Sequence, residues 1–468
     1  MRTSSTNRDD SRFSFWLRVR DYAVPPSMIE TATARRCVGD WAGACAAAGF
    51  DVDIDLRSLV RAHGRDLAAR VRADLRHLAP DLLRWHMPRI APDGLLRPGL
   101  TITLARYDPG DSRIPCGRER SVHLIVRTAP AWADAGQRIS LALWDGSRSG
   151  AGLHPHSRPN RRFRLDLHRH LWDARSSDEL RMRSGAARLA DEGTPGSGLS
   201  ELVPPGCAVD RWAAEAGILL RAHTRRAGPV LVRCGARRRI VVDVSVPEDD
   251  SPVLRIEERY PRGGISALPV LPDAATWVLP DLELLRAGAI TPDRLHPLVA
   301  SALVTDHSPA DISPIADPAG RPHLVDCRGE LHRIGLVNGV LAALDHDPAE
   351  IRREELLVAL TGTPLPCLQA IDRAHRHPDC LVGVRERLDY GDTAGALAVV
   401  EGLLGPDALL RAGALRDELE ASAQRRIGYG LFRAGLTRAS LTPPAAEHDH
   451  ARRCRSGRRA HPRHATSR

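Results

Sequence analysis

Three residues in the second half of the chain have the types and spacing of a metal site: His323, Cys327 and His332. On a strand, residues four apart share a face, so His323 and Cys327 point the same way, and a turn can return His332 to them. Thiolate and imidazole donors suit zinc, and three protein ligands leave one position open for water, as catalytic zinc requires. The competing reading is a buried thiol beside two half-exposed imidazoles on a hairpin. It needs no metal, and the sequence by itself favours it.

Four H-x-H pairs offer a second route to zinc: His154/His156, His168/His170, His375/His377 and His448/His450. Their surroundings speak against it. Pro155 and flanking arginines make the first two look like a basic loop. His375/His377 precedes Pro378 at a helix end, where a cationic imidazole suits the dipole. Asp51, Asp53 and Asp55 alternate like a calcium loop, but Leu56 and Ala62 stand where that loop needs Gly and Glu. No G-x-S-x-G elbow occurs; Gly264-Ile265-Ser266-Ala267 lacks the second glycine. Gly196-Ser197-Gly198-Leu199-Ser200-Glu201 departs from the dinucleotide fingerprint at its last position. The acidic runs Glu248-Asp249-Asp250 and Glu257-Glu258 read as solvated loops.

Arginine is the other chemically loaded residue. All 67 basic residues are Arg and none is Lys, which excludes a P-loop lysine, a kinase strand lysine and Schiff-base chemistry. Residues 158–183 hold eight Arg against four acids, and Arg161, Arg162, Arg164 and Arg169 are the candidates there for a partner or phosphate contact. Phe163 and Trp172 could add stacking. Residues 451–468 hold seven Arg and no acid, so +7 of the net +9 sits in the tail and 1–450 carries +2. A nearly neutral body with an Arg-rich appendage implies weak nucleic-acid association through the tail at most.

These residues must be positioned by a chain of 468 residues with ordinary globular hydrophobicity and only 4% aromatics. The core is therefore mainly Leu, Val and Ala, with eight Trp as scarce large fillers. Nine scattered Cys without any C-x-x-C argue against a disulfide scaffold. No apolar run approaches a membrane span, and the polar amino terminus lacks a secretory signal, so the expectation is a cytoplasmic protein with no membrane contact.

The expected organisation is a polar extension over 1–24, a helical segment over 25–95 and a β-rich segment with an Arg/His-rich loop over 96–183. A linker over 184–206 and a mixed segment over 207–345 follow, then helices over 346–440 and a disordered tail over 441–468. Ser27 and Glu30 have capping-box spacing for a helix running to about Gly49. Asp347-Pro348-Ala349-Glu350 is a second helix start, and 391–406 looks like one tetratricopeptide-type hairpin. Pro229-Val230-Leu231-Val232-Arg233-Cys234 echoes Pro322-His323-Leu324-Val325-Asp326-Cys327, and an Arg-Ile follows each. A duplicated β unit would explain the echo, although the gap to Arg-Ile differs by one residue, which would flip a strand's faces.

The segments around Trp85-His86, His170-Leu171-Trp172-Asp173-Ala174-Arg175 and Asp347 to Leu360 resemble an uncharacterised family of large proteins from high-GC actinobacteria. The resemblance spans about 25–440, and it implies no activity and assigns no functional residue. The expectation is an α+β protein, helical at both ends around a β-rich centre. It is expected to be a non-catalytic binding or scaffold protein with a protein partner and no cofactor. The alternatives are a metal-dependent hydrolase using zinc at the His/Cys site, and nucleic-acid association through the tail.

Overall fold

The computed structural model describes residues 3–108, 121–133, 136–146, 154–187, 203–235, 238–245, 253–256, 264–304, 323–361 and 364–436. The architecture is α+β, with helices towards both ends and sheets between them. The chain divides into two compact units, 1–310 with 435–468, and 311–434. Among the described residues no helix is long and apolar enough to cross a membrane. The 305–321 loop, the tail and most of the 184–206 linker lie outside the described residues.

The first unit opens with α1 (Thr3–Tyr22), where the sequence suggested only a polar extension. The single helix expected over 27–49 is two, α2 (Pro26–Cys37) and α3 (Trp41–Ala47). Gly39 at φ +79° breaks them, and the Asp40 carboxylate caps the second by accepting from the Gly43 N–H at 2.8 Å. The capping box does not form: Pro25 holds the N-cap of α2 with no side-chain cap. Of the Asp51–Asp55 alternation, Asp51 and Asp53 lie in β1 (Phe50–Asp53). Asp55 caps α4 (Leu56–His77), accepting from Arg57 and Ser58.

β2 (Arg89–Ile90) and β3 (Leu95–Leu96) pair as a small antiparallel hairpin. A four-stranded sheet has the order β1-β6-β5-β4, with β4 (Thr101–Tyr107), β5 (Val122–Thr128) and β6 (Ile139–Trp144) on the alternating apolar runs 100–104, 122–126 and 139–143. β1 joins β6 in parallel and the other pairs are antiparallel. Helix α5 (Pro80–His86) is pinned by buried polar groups. Arg20 forks onto the Asp281 carboxylate at 2.7 and 2.8 Å, and the Trp85 indole N–H also donates to Asp281. Trp172 and Trp212 are fully buried, each donating its indole N–H to a carbonyl, of Leu165 and Thr276 respectively. These two tryptophans thus fill the core without leaving an indole N–H unpaired. A three-stranded antiparallel sheet, β7 (Gly228–Arg233), β8 (Arg239–Ser245) and β9 (Val253–Ile256), packs Val230, Val232 and Val242 against Trp212 of the Val209–Ala222 helix.

The second unit is a three-stranded antiparallel sheet with five helices among the described residues. The strands are β10 (His323–Cys327), β11 (Glu330–Val337) and β12 (Val340–Ala343). The helices span Pro348–Thr361, Pro366–Arg376, Leu381–Tyr390, Thr393–Leu404 and Ala414–Arg433. The sheet therefore belongs with the carboxy-terminal helices rather than with the 207–303 segment, because Ile334 and Cys327 bury against Cys367 and Ile371 of the Pro366–Arg376 helix. The helix hairpin expected within 391–406 lies earlier: Leu381–Tyr390 and Thr393–Leu404 form it about Gly391, at φ +87°, and 391–406 holds only its second helix.

The two echoed segments form the first hairpin of each three-stranded sheet. The one-residue difference does not flip a face, because the turns differ in length. Ile240 pairs with Val232, and Ile334 pairs with His323, so each isoleucine shares a face with its unit's cysteine.

Candidate metal centre

Cys327 ends β10, and Arg328 and Gly329, both at positive φ, make a two-residue turn into β11. Register then decides what meets Cys327. Glu330 is its direct partner and Val325 is opposite His332, so Cys327 and His332 lie diagonally on one face. His323 shares that face but sits opposite Ile334, four residues along the strand, and is exposed. At about 3.3 Å per residue, that is some 13 Å from Cys327. Of the three residues proposed from the sequence, Cys327 and His332 come together and His323 does not.

Two further residues complete the cluster. After β12 the chain turns through Leu344 and Asp345. Arg333 fixes that turn: its backbone N–H and guanidinium both donate to the Asp345 carboxylate, at 2.7 and 2.6 Å. The Arg333 hydrogen bonds hold the Asp345 carboxyl at about 2. The next residue, His346, is thereby set beside His332, with His332 Nδ1 and His346 Nε2 2.7 Å apart. The fourth residue, Cys367, is fully buried at the start of the Pro366–Arg376 helix. One ligand atom from each of Cys327, His332, His346 and Cys367 lies within 4.8 Å of all the others.

The donor chemistry fits a metal. Two sulfurs and two imidazole nitrogens are the set of a structural zinc site, with bonds of about 2.0–2.3 Å. Both imidazoles have a carboxylate near the nitrogen away from the other ring, and for His346 it lies within hydrogen-bond distance, the arrangement that orients metal-bound histidines. His346 Nδ1 is 3.4 Å from Glu350 Oε2, and His332 Nε2 is 3.6 Å from Glu330 Oε2. Arg328 ties Glu350 at 3.4 Å and Glu354 at 2.7 Å, bracing that outer layer. Burial, together with the hydrogen bond and charge of Cys327, pushes the Cys367 thiol up to about 11. Such a thiol is a poor free nucleophile and becomes a ligand only when a cation displaces its proton.

His346 and Cys367 were not identified from the sequence. Four residues separate Cys327 from His332, thirteen separate His332 from His346, and twenty separate His346 from Cys367. No repeated knuckle spacing betrays that set. The available signal was local: His346 immediately precedes the Asp347-Pro348 helix start, and Cys367 follows Pro366.

The remaining histidine pairs form no further metal cluster among the described residues. His154 is held by the carbonyls of Thr128 and His156. His168 and His170 are buried, their rings 5.6 Å apart, and burial and neighbouring arginines hold both well below the usual imidazole range. His375 is buried and His377 exposed, while His448/His450 lies outside the described residues.

The four candidate arginines are engaged within the first unit. Arg161 donates to the carbonyls of Ser266 and Leu268, and Arg162 pairs with Asp273. Arg164 pairs with Asp166, and Arg169 with Asp74 and Asp173. Phe163 and Trp172 stack on arginines of the same network, Arg162 and Arg169 respectively. These guanidiniums fasten the 158–175 segment to its neighbours. Comparison with protein-family models, with curated proteins and with solved structures finds no match for this chain.

Proposed function

We propose that the chain is a non-catalytic binding or scaffold protein of the cytoplasm, whose carboxy-terminal unit is held together by one zinc ion on Cys327, His332, His346 and Cys367. The observation that carries this reading is the closed donor set: four protein ligand atoms lie within 4.8 Å of one another. Catalytic zinc keeps a position for water, and the three-ligand site expected from the sequence had one. A fourth protein donor removes it, which weighs against the hydrolase alternative. Bound zinc would supply cohesion, tying the β10–β11 hairpin to the entries of the Pro348–Thr361 and Pro366–Arg376 helices. The partner-binding part is then the set of helices that this tie supports, from Leu381 to Arg433. The proposed kinship with the actinobacterial family agrees with this reading, since it too implies no activity.

Cobalt(II) substitution tests the reading. Expected are thiolate charge-transfer and tetrahedral d–d bands that added azide or cyanide leaves unchanged. A spectrum that shifts with either anion reveals an open position, overturns the structural assignment and restores the hydrolase. Capture of a partner by the full chain should be lost when the metal is chelated.

A further inference from the structure

His168 sits between two short turns, Leu165–Leu167 and Arg169–Leu171, with its side chain buried. Arg183, the last residue of the Glu179–Arg183 helix, brings its Nη2 to 3.2 Å from His168 Nδ1. The Glu215 carboxylate, on the Val209–Ala222 helix, lies 3.9 Å from the same nitrogen. Arg183 also forks onto Glu215 at 2.6 and 2.7 Å and donates to the Leu167 carbonyl at 3.0 Å. A guanidinium offers only N–H donors, so Nδ1 must accept and the ring is neutral, with its proton on Nε2. That Nε2 is buried without a partner, as is Nδ1 of His170, whose ring stands 5.6 Å away edge to face.

The neighbours are mainly cationic. Arg164, itself held by Asp166, approaches from the strand side, and His86 of α5 faces His170. Arg211, beside Glu215 on the Val209–Ala222 helix, donates to the Arg183 and Trp277 carbonyls. The Pro297–Leu303 helix packs on the Glu179–Arg183 helix and carries no charged side chain. Glu215 is the carboxylate beside the two imidazoles, and Arg183 occupies it.

We propose that the Glu179–Arg183 helix is an acid-released latch, locked while His168 is neutral and opened when that ring takes a proton. A proton on Nδ1 sets an imidazolium N–H against a guanidinium N–H at 3.2 Å, so donor faces donor and like charges meet. Glu215 then turns from Arg183 to the imidazolium. Arg183 has a second carboxylate one turn back on its own helix, Glu179 at 4.0 Å, which is 57% exposed. The exchange moves Arg183 from a buried ion pair to a hydrated one. It also frees the end of its helix from Leu167 and from the Val209–Ala222 helix. Burial and the surrounding arginines hold His168 and His170 well below the usual imidazole range while the latch is closed. Opening hydrates both rings and returns them to that range, so the open state gains protons below about pH 6.5. The lock is therefore complete above that pH and is lost as pH falls through it. Each histidine released biases the equilibrium about thirtyfold towards opening between pH 7.5 and pH 5.0.

The test is hydrogen exchange of the zinc-loaded full chain, read by mass spectrometry from pH 7.5 to pH 5.0 and corrected for the intrinsic exchange rate at each pH. Expected is a loss of protection of about thirtyfold or more in peptides spanning 179–187, with peptides from β4 to β6 unchanged. His168→Gln keeps an acceptor for Arg183 without a titrating ring, and should reduce that loss by about thirtyfold. A wild-type profile flat to within about threefold would overturn the proposal. So would equal loss across β4 to β6, which is global acid unfolding, or a loss in His168→Gln as steep as in the wild type. The wild-type profile is decisive by itself, whether or not the variant folds.

Discussion

His332 Nδ1 and His346 Nε2 meet at 2.7 Å, although thirteen residues and two turns separate them in the chain. Their approach is produced by the β11–β12 pairing and by Arg333, whose grip on Asp345 fixes where His346 begins. A cation bound there would replace the hydrogen bond between the two imidazoles and the thiol protons with four bonds to one ion.

Removing a sulfur should be felt by the whole second unit. Cys367→Ser is expected to weaken zinc binding by at least a hundredfold and to make the 323–434 region susceptible to limited proteolysis at zinc concentrations that protect the wild type. Equal protease resistance in variant and wild type would refute a structural role for the ion.

The outer layer should matter less, but measurably. Glu350→Gln removes the carboxylate facing His346 Nδ1 while keeping its size, and zinc affinity should fall by about 10-fold or more. A competition titration against a chromophoric chelator reads this directly. Glu355→Gln, on the same helix, is the control.

In the first unit, Asp281 accepts from both Arg20 and Trp85 in a setting with almost no exposure. Asp281→Ala leaves a buried guanidinium without its carboxylate and should cost about 3–5 kcal/mol. Denaturant unfolding of the full chain measures it. A loss below about 1 kcal/mol would mean that water replaces the carboxylate freely.

Cys45 gives a pH signature. Burial, aided by the Asp40 carboxylate, pushes its thiol from 9.0 up to about 12. The folded state therefore holds a proton that the unfolded chain releases above pH 9. The resulting stability is complete below pH 9 and is lost as pH rises towards 12. Cys45→Ala should flatten that alkaline loss between pH 8 and pH 10.5, read as the midpoint of thermal unfolding. Parallel wild-type and variant profiles would contradict it.

Sequence patterning carried much of the fold and only part of the site, for physical reasons. Apolar alternation located β4 to β6, and the Asp347-Pro348 signal located the helix that follows His346, because both report local backbone preference. The break at Gly39 does carry a local signal, a glycine that ends one helix followed by the Asp40 N-cap of the next, which the expectation of one helix over 27–49 passed over. At the metal centre, Cys327 and His332 were legible because a two-residue turn makes them near neighbours. His323 does not belong with them: sharing a strand face fixes direction, not distance. His346 and Cys367 arrive by tertiary packing of a third strand and a helix, which spacing along the chain does not encode. The 158–175 arginines illustrate the same limit, since their carboxylate partners, such as Asp74 and Asp273, lie far away in sequence.

Native mass spectrometry of the purified full chain, before and after chelation, tests the zinc centre most directly. Expected is one zinc per chain, removable by a strong chelator with loss of folded second-unit signal and restored by one added equivalent. A chain that stays metal-free with zinc in excess, and whose unfolding is indifferent to it, would show that no ion holds this unit together.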